Sequence, residues 1–293
     1  TSRQDDTRPM TVKIVTDTGC DLPAALIEEH DIHLVPLILR FGEREAPDTP
    51  APRAELWHRV AGGLPCETSG PPIGPYEAVF SRLVEAGHEV VCITLTGVHS
   101  VTLSSALAAS QGFPGLVTVV DGRSLSLGYG LQALEAARLA AAGAGRASIA
   151  AAVLDMQGHI QIRFFLETLD QVKRGGRLDA LLPMLSRLGQ ALNVRAMLTV
   201  NPEGRISLVG PARGRRGATK RLVQDVLAAA PVETVAVVHS RRPEEAAALA
   251  DELAFELGTP RQEIMLVELG PVFVAHAGEG VLGVGTVRQR SPA

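Results

Sequence analysis

The side chains best placed to do chemistry in this sequence are short hydroxyls at the ends of β-branched runs. They are Thr18 after Asp17, Thr68 and Ser69 before Gly70 and Pro71, Thr96 before Gly97, and Ser124 with Ser126. In an open parallel sheet, ligands bind beyond the carboxyl ends of the strands, so such turns can converge on one crevice. Neutral donors beside helix N-termini suit a small anion, because free backbone N–H groups and the positive helix end stabilise negative charge without a buried cation. Taken singly, each Ser or Thr is better explained as an ordinary helix cap; the set is what points to a site.

Other arrangements carry less. Gly128-Tyr129-Gly130-Leu131-Gln132-Ala133 has the glycine spacing of a dinucleotide fingerprint, but seven residues separate it from the expected strand end at Val120, and no acidic residue follows at the required distance. It reads as a helix start packed tightly on a sheet. Gly278-Glu279-Gly280-Val281-Leu282-Gly283 repeats the spacing in a strand-like context near the C-terminus, where it cannot open a cofactor helix. There is no GxSxG nucleophile elbow. His30-Asp31-Ile32-His33 offers metal-ligating types at a helix-to-strand turn, where solvated histidines are the simpler reading. Neither a metal nor a cofactor is expected.

Composition narrows the function further. Of 293 residues 46% are hydrophobic and only 3% aromatic, so an apolar cavity should be walled by Ala, Leu and Val. A net charge of −4 argues against a general nucleic-acid footprint, which needs a basic excess on one face. Cys20, Cys66 and Cys92 are odd in number and far apart, which indicates neither a disulfide framework nor a structural zinc site and fits a reducing cytoplasm. Residues 1–9 are polar and of mixed charge, unlike a signal peptide, and read as a disordered tail. No apolar run reaches the roughly 18 residues of a membrane span.

The elements that must position the hydroxyls alternate in the βαβ manner of a mainly parallel sheet. Strands are expected over 12–16, 32–39, 89–94 and 117–120, and helices over 22–29, 52–61, 76–86, 100–110 and 128–142, with Gly87 and Gly143 as helix stops. The junction falls near Gly158, giving an N-terminal α/β domain over 11–157 and a C-terminal α/β domain over 158–293. In the second, helices are expected over 169–173, 180–188, 218–229 and 243–257. A hairpin from 194–200 to 205–209, a strand over 234–239 and two or three terminal strands complete it.

Several segments, in order, resemble the DegV family, which includes the fatty-acid-binding subunit of bacterial fatty acid kinase. Ile14-Val15-Thr16-Asp17-Thr18 with Asp21-Leu22-Pro23 is similar to the family's first strand and turn, and Val35-Pro36-Leu37 with Asp48 to its second. Thr68-Ser69-Gly70-Pro71 resembles a Thr-Ser-Gln-Pro motif with Gly70 in place of Gln. Thr96-Gly97-Val98-His99-Ser100-Val101-Thr102 aligns with Ser-Ser-x-Leu-Ser-Gly-Thr; Thr96 keeps the hydroxyl, while Gly97, His99 and Val101 depart, and a β-branched Val101 excludes a positive φ there. Asp121 with Ser126 to Gly130, Lys173-Arg174-Gly175-Gly176-Arg177, Leu192-Asn193-Val194, Arg213-Gly214-Arg215-Arg216, Gly270-Pro271 and His276-Ala277-Gly278-Glu279-Gly280 continue the likeness to the end of the chain.

The resemblance implies a two-domain fold with a long-chain fatty acid in an apolar tunnel between the domains. It implies a carrier, not an enzyme, presenting the acyl carboxylate to a separate ATP-dependent kinase subunit. Thr68, Ser69 and Thr96 would supply hydroxyls, Gly97 its backbone N–H, and His276 would complete the carboxylate shell, with Arg177 either closing on the site or pairing on the surface. Arg213, Arg215 and Arg216, flanked by Lys220 and Arg221, would dock the kinase, since charge clusters steer association. Transient contact with a membrane surface is compatible with such a carrier. Two alternatives stay open: an acyltransferase or hydrolase using Ser69 or Ser100 with His276, and a regulatory binding module using the basic loop.

Overall fold

The computed structural model describes residues 11–64, 66–167 and 193–290. Four parallel strands form the first sheet: β1 (Val12–Asp17), β2 (His33–Val35), β6 (Glu89–Thr94) and β7 (Val117–Asp121), in the order β2-β1-β6-β7. β6 reads Glu-Val-Val-Cys-Ile-Thr and is buried on both faces, as a central parallel strand must be. Helices α3 (Ile73–Glu85) and α4 (Thr102–Ser110) cover one face through Tyr76, Phe80 and Ala106. Helices α5 (Leu127–Ala141) and α6 (Arg146–Met156) cover the other.

The strand expected over 32–39 is two strands. Pro36 offers no N–H to a ladder, so pairing with β1 stops at Val35; the chain turns, and β3 (Ile38–Phe41) joins a separate antiparallel sheet with β4 (Arg44–Pro47) and β5 (Glu67–Ser69). Leu37 at the turn donates its N–H to Thr18 Oγ1. α1 (Ala24–Glu29) and α2 (Pro50–Ala61) flank this unit, α2 opening with Pro50 at its first turn.

Past the 3-10 turn Gln157–His159 the chain enters a six-stranded sheet ordered β10-β9-β8-β13-β11-β12. It comprises β8 (Ile160–Phe165), β9 (Val194–Val200), β10 (Ile206–Arg213), β11 (Val232–His239), β12 (Ile264–Glu268) and β13 (Leu282–Arg288). Only β11 and β12 pair in parallel; the β9–β10 hairpin turns through Asn201-Pro202-Glu203-Gly204 as expected. Helices α7 (Gly214–Ala229) and α8 (Pro243–Leu257) close the outer face. α8 has its expected bounds, with Pro243 first, Glu244 and Glu245 at its positive end and Gly258 in the left-handed conformation at its stop. The inner face, through Ile162, Phe164, Leu198 and Val287, packs on α5 and shares one core with the first sheet.

One element was not anticipated. α9 (Pro271–Ala277) stands where strands were expected; although it belongs to the second half of the sequence, it packs against α2 and β5 of the first. The expected helices over 169–173 and 180–188 and the tail over 1–9 lie outside the described residues.

Candidate functional site

The carboxyl ends of the first sheet's strands point at the junction with the second, and a cavity of about 90 Å³ lies there. The first half contributes Thr68 and Ser69 from β5, Leu95, His99 and Ser100 from the loop after β6, and Leu125, Ser126 and Tyr129 from the start of α5. The second half closes it with Phe164 and Leu166 at the end of β8, Ile206 of β10, and Val272, Phe273, His276 and Ala277 of α9. The expected aliphatic wall is only half of it: Phe164 and Phe273 meet edge to face at 5.5 Å, and Tyr129 adds a third ring. No Lys or Arg is among the described residues that line the cavity.

Thr68 and His276 are 208 positions apart in sequence, yet Thr68 Oγ1 and His276 Nε2 lie 2.7 Å from each other. β5 presents Thr68 opposite Leu39, and α9 turns His276 toward it one residue before its end. Ser69 is in the same wall. Thr96 and Gly97 are not brought to the cavity. Thr96 is fully buried, its Oγ1 accepts the Val98 N–H at 3.3 Å, and a Cβ on Gly204 of the hairpin turn would lie 2.2 Å from that oxygen. The Gly97 N–H donates to the Asp121 carboxylate at 3.3 and 3.4 Å. Thr96 thus packs closely against the turn of the β9–β10 hairpin. Arg177 lies outside the described residues.

The basic loop divides. Arg213 and Arg216 are exposed, as are Lys220 and Arg221. Arg215 is not a free docking group: it pairs with Glu167 and Glu245, donates to the Gly280 carbonyl at 2.8 Å and lies over the Phe165 ring at 5.1 Å. Glu167 also takes Arg195 at 2.7 Å, so Arg215 is one knot of a network that ties β8, β9, α7 and α8 together.

Two buried carboxylates organise the cavity floor. Asp17 accepts the Tyr129 hydroxyl at 2.5 Å, the Gly19 N–H at 3.0 Å and the Leu95 N–H at 3.2 Å, so three wall positions hang on one side chain. Burial lifts its carboxyl to about 6 against the pull of those donors. Asp21 accepts the Ser126 hydroxyl at 2.5 Å and the Gly270 N–H at 2.9 Å, and burial lifts it to about 7.

Sequence reasoning named Thr68, Ser69 and His276 and missed His99, whose Nε2 accepts the Ile206 N–H at 3.1 Å across the junction. Its signal was its departure from the family pattern. Gly70, a further departure, lies against the start of α4: a Cβ there would be 2.8 Å from Thr102 Oγ1 and 2.9 Å from both Thr102 N and Val101 Cγ2. Val101 has φ −78 and is 59% exposed, so it neither needs a positive φ nor narrows the cavity. The glycines at 128 and 130 serve close packing, since side chains there would strike Ser124 and the Cys20 carbonyl. His33 is half-buried against Asp31, not solvated, and the described residues contain no cluster able to hold a metal ion.

An α/β chain whose two sheets enclose an apolar cavity with a few converging hydroxyl and imidazole groups is built to hold a mostly apolar small molecule. A family model described as "Uncharacterised protein, DegV family" matches residues 11–289, and the chain belongs to the DegV family. A DegV domain-containing protein of Streptomyces coelicolor is 32% identical over 278 residues, covering 93% of this chain and 97% of that one. Among solved structures, "Fatty Acid Binding of a DegV family Protein from Thermus thermophilus" is 30% identical with a TM-score of 0.86, covering 96% of this chain and all of that one. DegV of Bacillus subtilis, described as a fatty acid binding protein, is 28% identical with a TM-score of 0.80 and the same coverage. No helix among the described residues is long and apolar enough to cross a membrane.

Proposed function

We propose that this chain binds a long-chain fatty acid in the cavity between its sheets and presents the carboxylate to a separate ATP-dependent kinase subunit in the cytoplasm for acyl-phosphate formation. The observation that carries the reading is the apolar wall of Leu37, Leu95, Phe164, Leu166 and Phe273 with the Thr68–His276 pair set into it. Each buried CH₂ contributes about 0.8 kcal/mol before ordering costs, so the tail supplies the affinity and the polar pair the orientation. The fatty-acid-binding descriptions of the Thermus thermophilus and Bacillus subtilis relatives support the ligand class.

Arg213, Arg216 and Lys220, exposed on one helix start, support the docking part of the reading. Val98 and Val101, exposed beside His99 and Ser100 of the wall, support a transient membrane-surface contact during loading. The acyl-transfer alternative needs a serine on His276. In this structure it is Thr68 that meets His276, while Ser100 Oγ is 2.7 Å from Thr102 Oγ1. Mass spectrometry of organic extracts from purified protein should find a stoichiometric acyl chain. Absence of that chain together with no binding of added palmitate or oleate refutes the reading, and steady turnover of an acyl ester favours the enzyme.

A further inference from the structure

Asp21 is held in a left-handed conformation (φ 51, ψ 22) at the end of the 3-10 turn Thr18–Cys20. Its hydrogen-bond partner Ser126 is also strained, at φ 51 and ψ −136, as the cap of α5. Unfavourable backbone at two non-glycine residues persists only where the surroundings over-determine it, and it is common where a site is held in place. The surroundings here are close: a Cβ on Gly270 would lie 2.4 Å from Asp21 Oδ1, and one on Gly130 would lie 2.3 Å from the Cys20 carbonyl oxygen. Gly270 caps α9, which carries Val272, Phe273, His276 and Ala277 into the cavity, and Ser126 is itself a wall residue. One carboxylate therefore joins the helix that bears His276 to the turn that bears Ser126. On its other side Asp21 lines an outer crevice between α1 and β12 and so stands between that crevice and the cavity wall.

We propose that Asp21 is a positioning residue that clasps α9 to the first half of the chain, and that its proton sets which way the Ser126 hydroxyl points, so that fatty-acid binding is coupled to proton uptake. The inference rests on the fatty-acid reading above and adds regulation to that site. With Asp21 ionised, Ser126 donates to Oδ2 and turns only lone pairs elsewhere. With Oδ2 protonated, that O–H donates to Ser126 Oγ and the serine hydroxyl is released toward the cavity as a donor; the proton comes from solvent, and no bond other than hydrogen bonds changes.

The ionisable groups facing Asp21 decide where this happens. Cys20 in the same turn, Asp48, and Tyr129 on α5 interact with it, with Arg53 of α2 as the cation among the described residues; Glu28, Asp31 and Glu268 rim the outer crevice. Arg53 is drawn to Asp48, 2.6 Å away. Burial, opposed by Ser126, Gly270 and Arg53, places the carboxyl at about 7. An anion arriving beside it raises it further, because like charge disfavours the ionised form.

The test is calorimetric titration of delipidated protein with monomeric oleate at pH 7.5 in buffers of different ionisation enthalpy, together with affinities at pH 6.5 and 8.5. The wild type should take up a substantial fraction of a proton and lose affinity as pH rises, at most tenfold per unit for one proton. Asp21→Asn keeps an acceptor for Gly270 and an N–H for Ser126, so it fixes the neutral arrangement; its pH slope and its proton uptake should both fall clearly below the wild type's, leaving only what Asp17 contributes. Ser126→Ala should weaken binding several-fold at pH 6.5 and little at 8.5. Equal uptake and equal pH slope in wild type and Asp21→Asn overturn the coupling while leaving fatty-acid binding intact. A wild-type affinity that does not change between pH 6.5 and 8.5 overturns it whatever the variants do. Failure of the wild type to bind oleate at any pH removes the fatty-acid reading and the coupling with it.

Discussion

Thr68→Val tests the polar pair with the least disturbance to the fold. Valine has threonine's shape and β-branch, so β5 keeps its pairing with β3 and the side chain stays 8% exposed at most, while the hydroxyl 2.7 Å from His276 Nε2 disappears. A hydrogen bond to a charged group contributes about 1.5–3 kcal/mol, which corresponds to fatty-acid binding about 10- to 150-fold weaker. The same cavity offered a fatty alcohol of equal length loses only a neutral bond, about 0.5–1.5 kcal/mol, or roughly two- to tenfold. His276→Ala should act on the acid similarly, and the double variant should lose less than the sum, because both groups share one anion. Titration of acid and alcohol against wild type and the three variants measures this, with urea midpoints as the control for folding. If acid and alcohol lose affinity equally, Thr68 and His276 shape the cavity and the carboxylate is held elsewhere.

Stability should rise as pH falls from 8.5 to 6.5. Asp17 and Asp21 sit above the ordinary carboxylate value, so the folded state binds more protons than the unfolded, and their contribution is full near pH 4 and is lost as pH rises through about 6 and about 7. Burial holds His33 and His239 below 6.5, so their contribution is present above that value and is lost as pH falls, turning the curve over on the acid side. Unfolding free energies from urea titration should rise by about 1–2 kcal/mol over the first interval, with a flatter profile in Asp21→Asn; a fall in the wild type contradicts the burial argument. Arg213→Glu with Arg216→Glu should leave oleate affinity within a few-fold and slow acyl-phosphate formation by a cognate kinase, whereas Arg215→Ala, which unties Glu167 and Glu245, should lower the unfolding free energy from urea titration by about 2 kcal/mol or more. Gly70→Gln alone should destabilise by about 1–3 kcal/mol, and adding Val101→Gly should recover only the part that Val101 contributes, because the contacts with Thr102 remain; strictly additive losses would separate the two positions.

The parallel sheet was legible because β1 and β6 are short β-branched runs between helices with their own stops: Gly87 and Gly143 both take a positive φ where the helices end. α8 was legible to the residue because its caps are local. The small antiparallel sheet was not, since β4 and β5 are only four and three residues long and take their pairing from β3, across a turn that Pro36 forces. α9 reads Pro-Val-Phe-Val-Ala-His-Ala, a strand-like composition; it is helical because Pro271 opens it, Gly278 ends it at φ 79, and the Asp21 carboxylate meets its first turn at Gly270. Thr68, Ser69 and His276 were recognisable from motifs. Phe164, Ile206 and Phe273 enter the wall from three elements of the second half, and nothing local to any of them announces a cavity.

The absence of Lys and Arg from the described wall bears on why a carrier of this kind would hold its ligand so. In the proposed function the carboxylate must attack a phosphoryl group, and a bidentate arginine would tie up both of its oxygens in strong charge-assisted bonds. Hydroxyl and imidazole donors fix its position at lower cost to its nucleophilicity, leaving the acyl tail against Phe164 and Phe273 to provide the affinity. The buried carboxylates of Asp17 and Asp21 press the same way. Each is held by donors that belong to wall residues, Tyr129, Leu95 and Ser126, so the floor is rigid without offering a counter-charge. By the described residues alone, an anion in such a cavity is oriented by neutral donors. On the proposed reading, Arg213 and Arg216, exposed and absent from the cavity lining, would recruit a partner without quenching the carboxylate.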